Sequence, residues 1–406
     1  MILSDVATIY DCPHSTAPDE GEGYPLIRTP NIGKGRLILD DVHRVSKEVY
    51  DIRNKRAIPQ ENDIIFAREA PAGNAALITK GQKVCLGQRT VLIRPKQDLV
   101  DPHYLVYYLL APQQQIKLLG FSHGATVGHV NIPDITKLSI TLPSLTIQKS
   151  IARIVEHYDN LTEVNNKRIK MLEQMAENLY KEWFVRFRFP GHESVPFENG
   201  LPQGWKIKRV DAIGEVIGGG TPSTNVDSFW DGTIPWLTPA DLSNTNRILI
   251  RRGSTNISSE GLKRSGATMM PPDTVLVSSR APIGYIAIAA NPICTNQGFK
   301  SVVCFDDIMS PYYLFFFFRS NRDMLQNYAT GATFPELSGS RMKKIKVLVP
   351  DIQLQKSFER IAKSIICEMD KLEEANDLLR HQRDLLLPRL MSGKLEVQAT
   401  CLTSTI

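Results

Sequence analysis

No two of the six cysteines (Cys12, Cys85, Cys294, Cys304, Cys367, Cys401) stand in a C-x-x-C pair, which leaves neither a zinc module nor a disulfide framework to expect. Scattered thiols of this kind fit a reducing cytoplasm. Long hydrophobic runs are also missing. The densest, 312 to 318, ends at Arg319, whereas a membrane span needs about 20 residues. The matching stretch of the first half, 104 to 110, has the same aromatic and leucine character, and both read as buried structural segments. The N-terminus has no basic segment followed by an apolar run, so no signal peptide is expected. There is no basic tail either: the net charge of +5 over 406 residues is spread thinly, and any binding to nucleic acid would rest on placed residues and partners.

Catalytic patterns are equally scarce. His123 and His129 sit six apart in a glycine-rich stretch with no cysteine nearby and no H-E-x-x-H, which argues against a metal site. The phosphate-cradling G-x-x-x-x-G-K-[ST] is absent, and Gly218-Gly219-Gly220-Thr221-Pro222-Ser223 lacks its lysine. Asn291-Pro292-Ile293-Cys294 begins like the Asn-Pro-Pro-aromatic motif of amino-methyltransferases, but it lacks the second proline and the ring that would stack a flipped base. No constellation for catalysis emerges from these residues.

What the chain does have is itself, twice. Gln148-Lys149-Ser150 recurs as Gln355-Lys356-Ser357, Gly124-Ala125-Thr126 as Gly331-Ala332-Thr333, and Pro143 as Pro350. Upstream, with slightly larger offsets, Pro102-His103-Tyr104-Leu105 matches Pro311-Tyr312-Tyr313-Leu314, Gln88 matches Gln297, Asp63 matches Asp273, and Ala70-Pro71 matches Ala281-Pro282. Small drifts are what loop insertions leave behind. A single duplication with so long a period predicts a pseudo-two-fold object rather than a solenoid, and hence a target with two similar halves.

Each half opens with a mixed segment of short β-like runs, such as Asp63-Ile64-Ile65-Phe66-Ala67 and Thr274-Val275-Leu276-Val277, punctuated by Gly, Pro and Asn. This is α+β texture. From Ile147 to about Arg186, and from Leu354 to about Leu390, glycine is absent and Pro388 is the only proline, which predicts two long helices of about 60 Å each. With Ile151 at a, the a seam reads Ile151, Tyr158, Asn165, Leu172, Leu179; in the second helix it reads Phe358, Ile365, Leu372, Leu379, Leu386. The d seams, Ile154, Leu161, Arg168, Met175, Glu182 and Ile361, Glu368, Ala375, Gln382, Arg389, are interrupted by charge. Each helix could pack on its own globular domain, but equal length and register in one chain favour the two packing on each other, and antiparallel packing would place the two mixed segments at opposite ends of a rod. Phe187-Arg188-Phe189-Pro190-Gly191 and Leu201-Pro202-Gln203-Gly204-Trp205 mark a linker that reverses the chain.

Candidate DNA-facing residues are the loop polar and basic side chains of both mixed segments. In the first they are His14, Ser15, Thr16, Lys34, Arg36, Arg44 and Arg53; in the second, Thr221, Ser223, Thr224, Arg247, Arg251, Arg252, Lys263, Arg264 and Arg280. Arginine can grip a guanine edge bidentately, and Ser, Thr and Lys can hold phosphates or bases. Each alone reads better as a solvated surface group, so the expectation rests on the set.

Six motifs in order then resemble one family over nearly the whole chain. They are Leu142-Pro143-Ser144-Leu145 leading to Gln148-Lys149; Leu179-Tyr180-Lys181-Glu182-Trp183-Phe184 with Phe189-Pro190-Gly191; Leu201-Pro202-Gln203-Gly204-Trp205; Gly219-Gly220-Thr221-Pro222-Ser223; Ile234-Pro235-Trp236-Leu237; and Leu387-Pro388-Arg389-Leu390-Met391-Ser392-Gly393-Lys394-Leu395. The chain resembles the specificity (S) subunits of type I restriction-modification systems. One departure is that the first half lacks the Leu-Pro-x-Gly-Trp lead, opening at Met1-Ile2-Leu3-Ser4-Asp5 with His14-Ser15-Thr16-Ala17-Pro18 in place of the Thr-Pro-Ser element.

The resemblance implies an α+β fold with two pseudo-repeated target-recognition domains separated by two long antiparallel coiled-coil helices. Its segments would be 1–144 for the first recognition domain, 145–190 for a central helix, 191–350 for a linker and the second domain, 351–397 for a distal helix, and 398–406 for a tail. It further implies that each domain reads half of a bipartite double-stranded DNA site in the major groove, and that the helices set the unread gap and dock two modification (methyltransferase) subunits. Those subunits would carry S-adenosylmethionine and methylate adenine at N6, and a restriction subunit using ATP and Mg would join them. The chain itself would hold no cofactor and perform no catalysis. Two other readings stay open on the residues alone: a coiled-coil scaffold with two protein-binding modules, and a self-contained DNA methyltransferase.

Overall fold

A computed structural model describes residues 1–120, 129–280, 282–331 and 335–397. His123, the repeated Gly124-Ala125-Thr126, most of its counterpart after Gly331, Ala281 of the Ala-Pro pair, and the tail 398–406 with Cys401 lie outside the described residues. The chain divides into two compact units: 1–162 with 377–397 of the described residues, and Glu163–Asn376. This boundary differs from the expected segmentation, because it falls inside both long helices, Leu145–Tyr180 and Ile352–Met391. Each unit thus owns one mixed domain and a part of both helices.

The first unit contains β1 (Ala7–Asp11), β2 (Tyr24–Ile27), β3 (Gly35–Arg36), β4 (Arg44–Val45), β5 (Ile64–Ala67), β6 (Ala75–Leu77), β7 (Cys85–Leu86) and β8 (Thr90–Pro95). They form a five-stranded sheet of order β1-β8-β5-β6-β3 and a three-stranded sheet of order β4-β2-β7. β5, β6 and most of β8 are buried on both faces, which is why these runs read as continuous apolar stretches rather than alternating ones.

The mixed domain of the second unit opens with a hairpin of β9 (Phe197–Glu198) and β10 (Leu201–Pro202). Its turn residues Asn199 and Gly200 both have positive φ, 52° and 80°, as a two-residue type I′ turn requires. β11 (Lys206–Arg209) follows and pairs with the last strand of the unit. Then come β12 (Gly214–Gly218), β13 (Trp230–Leu237), β14 (Leu249–Ile250), β15 (Thr255–Ile257), β16 (Val275–Ser279), β17 (Ile283–Ala289), β18 (Cys294–Thr295), β19 (Lys300–Cys304) and β20 (Lys346–Val349). The sheets are β12-β19-β16-β17-β14 and β15-β13-β18. Strand for strand this is the order of the first unit, with parallel neighbours at the same two places. The duplication seen in the sequence is therefore a duplication of topology. The missing lead of the first half also has a structural counterpart, since the β11–β20 pairing shrinks there to a single bridge between Ile2 and Ser139.

The repeated glutamine explains itself in both units. Gln148 accepts from Asp101 N at 2.9 Å and donates to Pro143 O at 2.8 Å. Gln355 accepts from Ser310 N at 2.9 Å and donates to Pro350 O at 2.9 Å and Ile308 O at 3.2 Å. Each fastens the first turn of a long helix to the cap of a short aromatic one, Pro102–Leu110 or Pro311–Ser320. Those aromatic helices are buried structural segments as expected, and Asp101 and Ser310 cap them.

The long helices pair antiparallel within each unit. In the second, Asn376 bonds Asn165 and Asn166 while Phe358 meets Tyr180 and Trp183. In the first, Arg383 meets Asp159, and Ile151 shares a core with Leu390. The a seam faces inward or partly so, but the expected d seam does not: Leu161, Met175 and Ile361 are all exposed. The second buried seam is e instead, with Val155 and Ala176 on one helix and Ala362, Met369, Asn376 and Leu390 on the other. The expected central segment of 145–190 also ends early. Regular α-helix stops at Tyr180, and one wider π turn, Lys181–Val185, rotates Trp183 and Phe184 into an aromatic cluster with Tyr313 and Phe358.

Candidate nucleic-acid interface

In the first unit the loop after β1 and the loop between β7 and β8 are brought together by a buried arginine. Arg53 donates from Nε to Leu86 O at 2.7 Å and from Nη1 to Ser15 O at 2.9 Å, and burial pushes its pKa below the usual value. The expectation that Arg53 faces DNA is therefore corrected: a guanidinium spent on main-chain carbonyls in the interior builds the loop rather than reads a base. On that loop Thr16 donates to Gln88 Oε1 at 3.3 Å, and Gln88 donates back to His14 O.

The second unit repeats the device. Thr221 donates to Gln297 Oε1, and Gln297 lies between β18 and β19 as Gln88 lies between β7 and β8. The glycines before Thr221 serve close approach: a Cβ on Gly219 would stand 2.0 Å from Asn296 O, and one on Gly220 2.2 Å from the carbonyl carbon of Gly266. Trp236 Nε1 donates to Gly220 O at 2.9 Å and Trp230 Nε1 to Ser223 O at 3.1 Å, which leaves Ser223 and Thr224 exposed at the loop tip.

Charged side chains gather beside each Thr–Gln pair. In the first unit Glu69 bonds His129 Nδ1 at 2.6 Å and Arg89 at 2.9 Å, while Arg68 donates to Val130 O at 2.9 Å. In the second, Glu336 lies 4.0 Å from Arg280 and 3.9 Å from Lys300. Lys300 also donates to Gln297 O and Phe299 O at 3.2 Å, and its burial lowers its pKa. Of this cluster Arg280 is among the residues expected to face DNA; Arg68, Glu69, Arg89, Lys300 and Glu336 are not, and Gln88 and Gln297 stand out in the sequence only as a repeat.

The other predicted cations lie elsewhere. Arg36 donates to Asn160 on the central helix. Arg247 reaches Glu373, and Arg251 forms a bidentate pair with Asp370 at 2.7 and 2.5 Å, both on the distal helix. Asp370 holds the Arg251 pKa above its usual value. For Arg36, Arg247 and Arg251 the expected DNA-facing role gives way to a clamp between a domain and its own helix, because a carboxylate or amide on the helix claims the guanidinium. Arg44 donates to Gly23 O at 2.8 Å. Lys34, Arg252 and Lys263 are exposed, and Arg264 is too, 3.3 Å from Glu260. Ser15 is exposed beside Thr16.

The equivalently placed Cys85 and Cys294 are pushed up to about 11 by burial, so they remain thiols at neutral pH and are poor nucleophiles. Among the described residues no three His, Cys, Asp or Glu side chains gather as metal ligands, and no helix is long and apolar enough to cross a membrane.

Comparison with known proteins places the chain in a family. The model of the type I restriction modification DNA specificity domain matches residues 1–174 and again 202–380. The MjaIX specificity subunit of Methanocaldococcus jannaschii is 36% identical over 198 residues, 48% of this chain and 46% of that protein, so the match spans under half of that relative's length. The HindI specificity subunit of Haemophilus influenzae is 23% identical with 84% of this chain and 88% of its own length covered. A crystal structure of a type I restriction-modification S subunit from M. genitalium shares the fold at a TM-score of 0.62 and 15% identity, over 96% of this chain and 95% of that one.

Proposed function

Since the chain belongs to the type I restriction-modification specificity family, we propose that it is a non-catalytic member of a restriction-modification complex and that each mixed domain reads one half of a bipartite double-stranded DNA site. The observation that carries this reading is the twofold Thr–Gln loop. Two domains of one topology present the same exposed polar pair, Thr16 with Gln88 and Thr221 with Gln297, at the same sheet end. Glutamine is suited to an adenine edge and arginine to a guanine edge. The exposed Ser15, Ser223, Thr224, Arg252, Lys263 and Arg264 are suited to phosphates that position the domain. The Arg36, Arg247 and Arg251 clamps make each domain rigid on its helix, which a reader of fixed spacing needs.

The long helices set the gap and dock two modification subunits. This part of the reading draws on apolar side chains that the helix pair leaves exposed: Val164, Met171, Met175 and Ile361 in the second unit, and Leu161, Leu378 and Leu385 in the first. S-adenosylmethionine belongs on the modification subunits, and ATP with Mg on a restriction subunit that joins them in the cytoplasm. The test is to replace residues 202–350 with the domain of a relative and to map methylated adenines in the host genome. One half of the methylated motif should change while the other half stays. Simultaneous change of both halves would overturn the modular reading.

A further inference from the structure

What the two domains share cannot distinguish their half-sites; what differs at the same backbone position can. Main-chain hydrogen bonds fix the correspondence independently of side chains. Val130 N donates to Arg68 O at 3.0 Å where Leu337 N donates to Ser279 O at 2.9 Å, and Arg68 N donates to Arg89 O at 2.9 Å where Ser279 N donates to Gly298 O at 2.7 Å. Hence Glu69 corresponds to Arg280, His129 to Glu336, and Arg89 to Gly298. At this one place, beside the shared Thr–Gln pair, the charges are exchanged. The first domain puts its acid after β5 and its arginine on the glutamine loop. The second puts its arginine after β16, takes its acid from the strand-end segment at 336, and leaves glycine on the glutamine loop.

We propose that Arg89 and Arg280 are specificity-determining residues, each gripping a guanine edge at a different step from the base under the common glutamine; this rests on the reading above. Their neighbours already hold the loops. Arg68 is bound to Val130 O and Lys300 to two carbonyls, and their side chains are only 13% and 16% exposed. Arg89 and Arg280 are 62% and 39% exposed, and among the described residues their charge partner is a single carboxylate. That carboxylate steers the guanidinium while leaving donor edges open, a pre-organised arrangement for bidentate recognition. Because the arginine comes from a different loop in each domain, the two half-sites must differ in the position of the guanine.

The experiment uses the chain assembled with its modification subunits, with the methylated motif read genome-wide and the melting temperature of each variant compared with the parent. Arg280→Ala should relax one base position in the half-site of the second domain by about tenfold to a hundredfold and leave the other half and the gap unchanged; Arg89→Ala should do the reverse. Arg280→Lys keeps charge and bulk, so it supplies a folded variant if alanine fails, and it should relax the same position because lysine lacks the planar fork. Full discrimination in the lysine variant, or an unchanged motif in a stable alanine variant, overturns the proposal. If replacing residues 202–350 moves a half-site while Arg280→Ala does not, this inference alone fails; if the replacement moves nothing, the underlying reading fails.

Discussion

Replacing Gln355 by leucine isolates the staple that fastens the distal helix to its domain. Gln355 is fully buried, and leucine is close to it in size, so the change removes hydrogen bonds with little cavity. Three main-chain groups lose a partner: Ser310 N–H, Pro350 O and Ile308 O. A buried orphan N–H costs about 2 kcal/mol, and each carbonyl, which keeps a second lone pair, about 1 kcal/mol. The expected loss is thus about 3–5 kcal/mol, a large share of the 5–15 kcal/mol that holds a domain folded. Gln148→Leu in the first unit should cost slightly less, because its third bond, to Leu99 O, is 3.4 Å long. Urea unfolding of the purified variants measures both, and the double variant should equal their sum within about 0.5 kcal/mol because the sites share no partner. A loss under about 1 kcal/mol at either site would refute the claim that the repeated glutamine is a structural fastener.

Three other outcomes follow from particular contacts. Arg251→Ala should destabilise the second unit by about 1–2 kcal/mol, held down by the exposure of that arginine; a double-mutant cycle should couple it to Asp370, and the salt slope of DNA binding should stay as it was, whereas Arg252→Ala should flatten that slope by about one unit if it meets a phosphate. The hydrogen bond of His103 to Glu156 raises the His103 pKa above 6.5, so its stabilisation is complete below that pH and disappears as pH rises through the raised value; the stability gap between the parent and His103→Gln should close on going from pH 6 to pH 9. Inserting one heptad after Arg168 and one after Leu372 preserves the a and e seams and adds about 10 Å of helix, so the unread gap should lengthen by about three base pairs, and an active variant with an unaltered gap would show that the helices do not set the spacing.

The duplication, the α+β class and the two long helices were legible because each leaves a mark in residue order: repeated triplets, short apolar runs between turn residues, and glycine-free stretches. The direction of a charged side chain leaves no such mark. Arg36, Arg247 and Arg251 read in sequence like loop cations, yet Asn160, Glu373 and Asp370 claim them, and those partners lie about 120 residues away in the chain. Arg53 is the sharper case, since nothing local says that an arginine seven residues into a short helix will be buried on three carbonyls. Gln88 and Gln297 were visible as a repeat, but their meaning required Thr16 and Thr221 to arrive beside them from more than 70 positions away.

The helix seam shows how close a sequence can come and still choose the wrong face. With a fixed, both d and e complete a plausible stripe, and hydrophobic residues occur at each. The charges at d, among them Arg168, Glu182, Glu368 and Arg389, were the usable signal, since a seam facing water tolerates them. The e seam hides the answer because it carries Asn376 and Arg383. Both are paired: Asn376 with Asn165 and Asn166, and Arg383 with Asp159 at 2.6 Å. A shift of one heptad would take Asn165 and Asn166 from the buried Asn376 amide and Asp159 from the Arg383 guanidinium, which would keep only its neighbour Asp384, and a buried amide left unpaired is costly. The polar residues that obscure the seam in the sequence are therefore what fix the register in the fold, and a fixed register is what the proposed reading of two half-sites at one spacing requires.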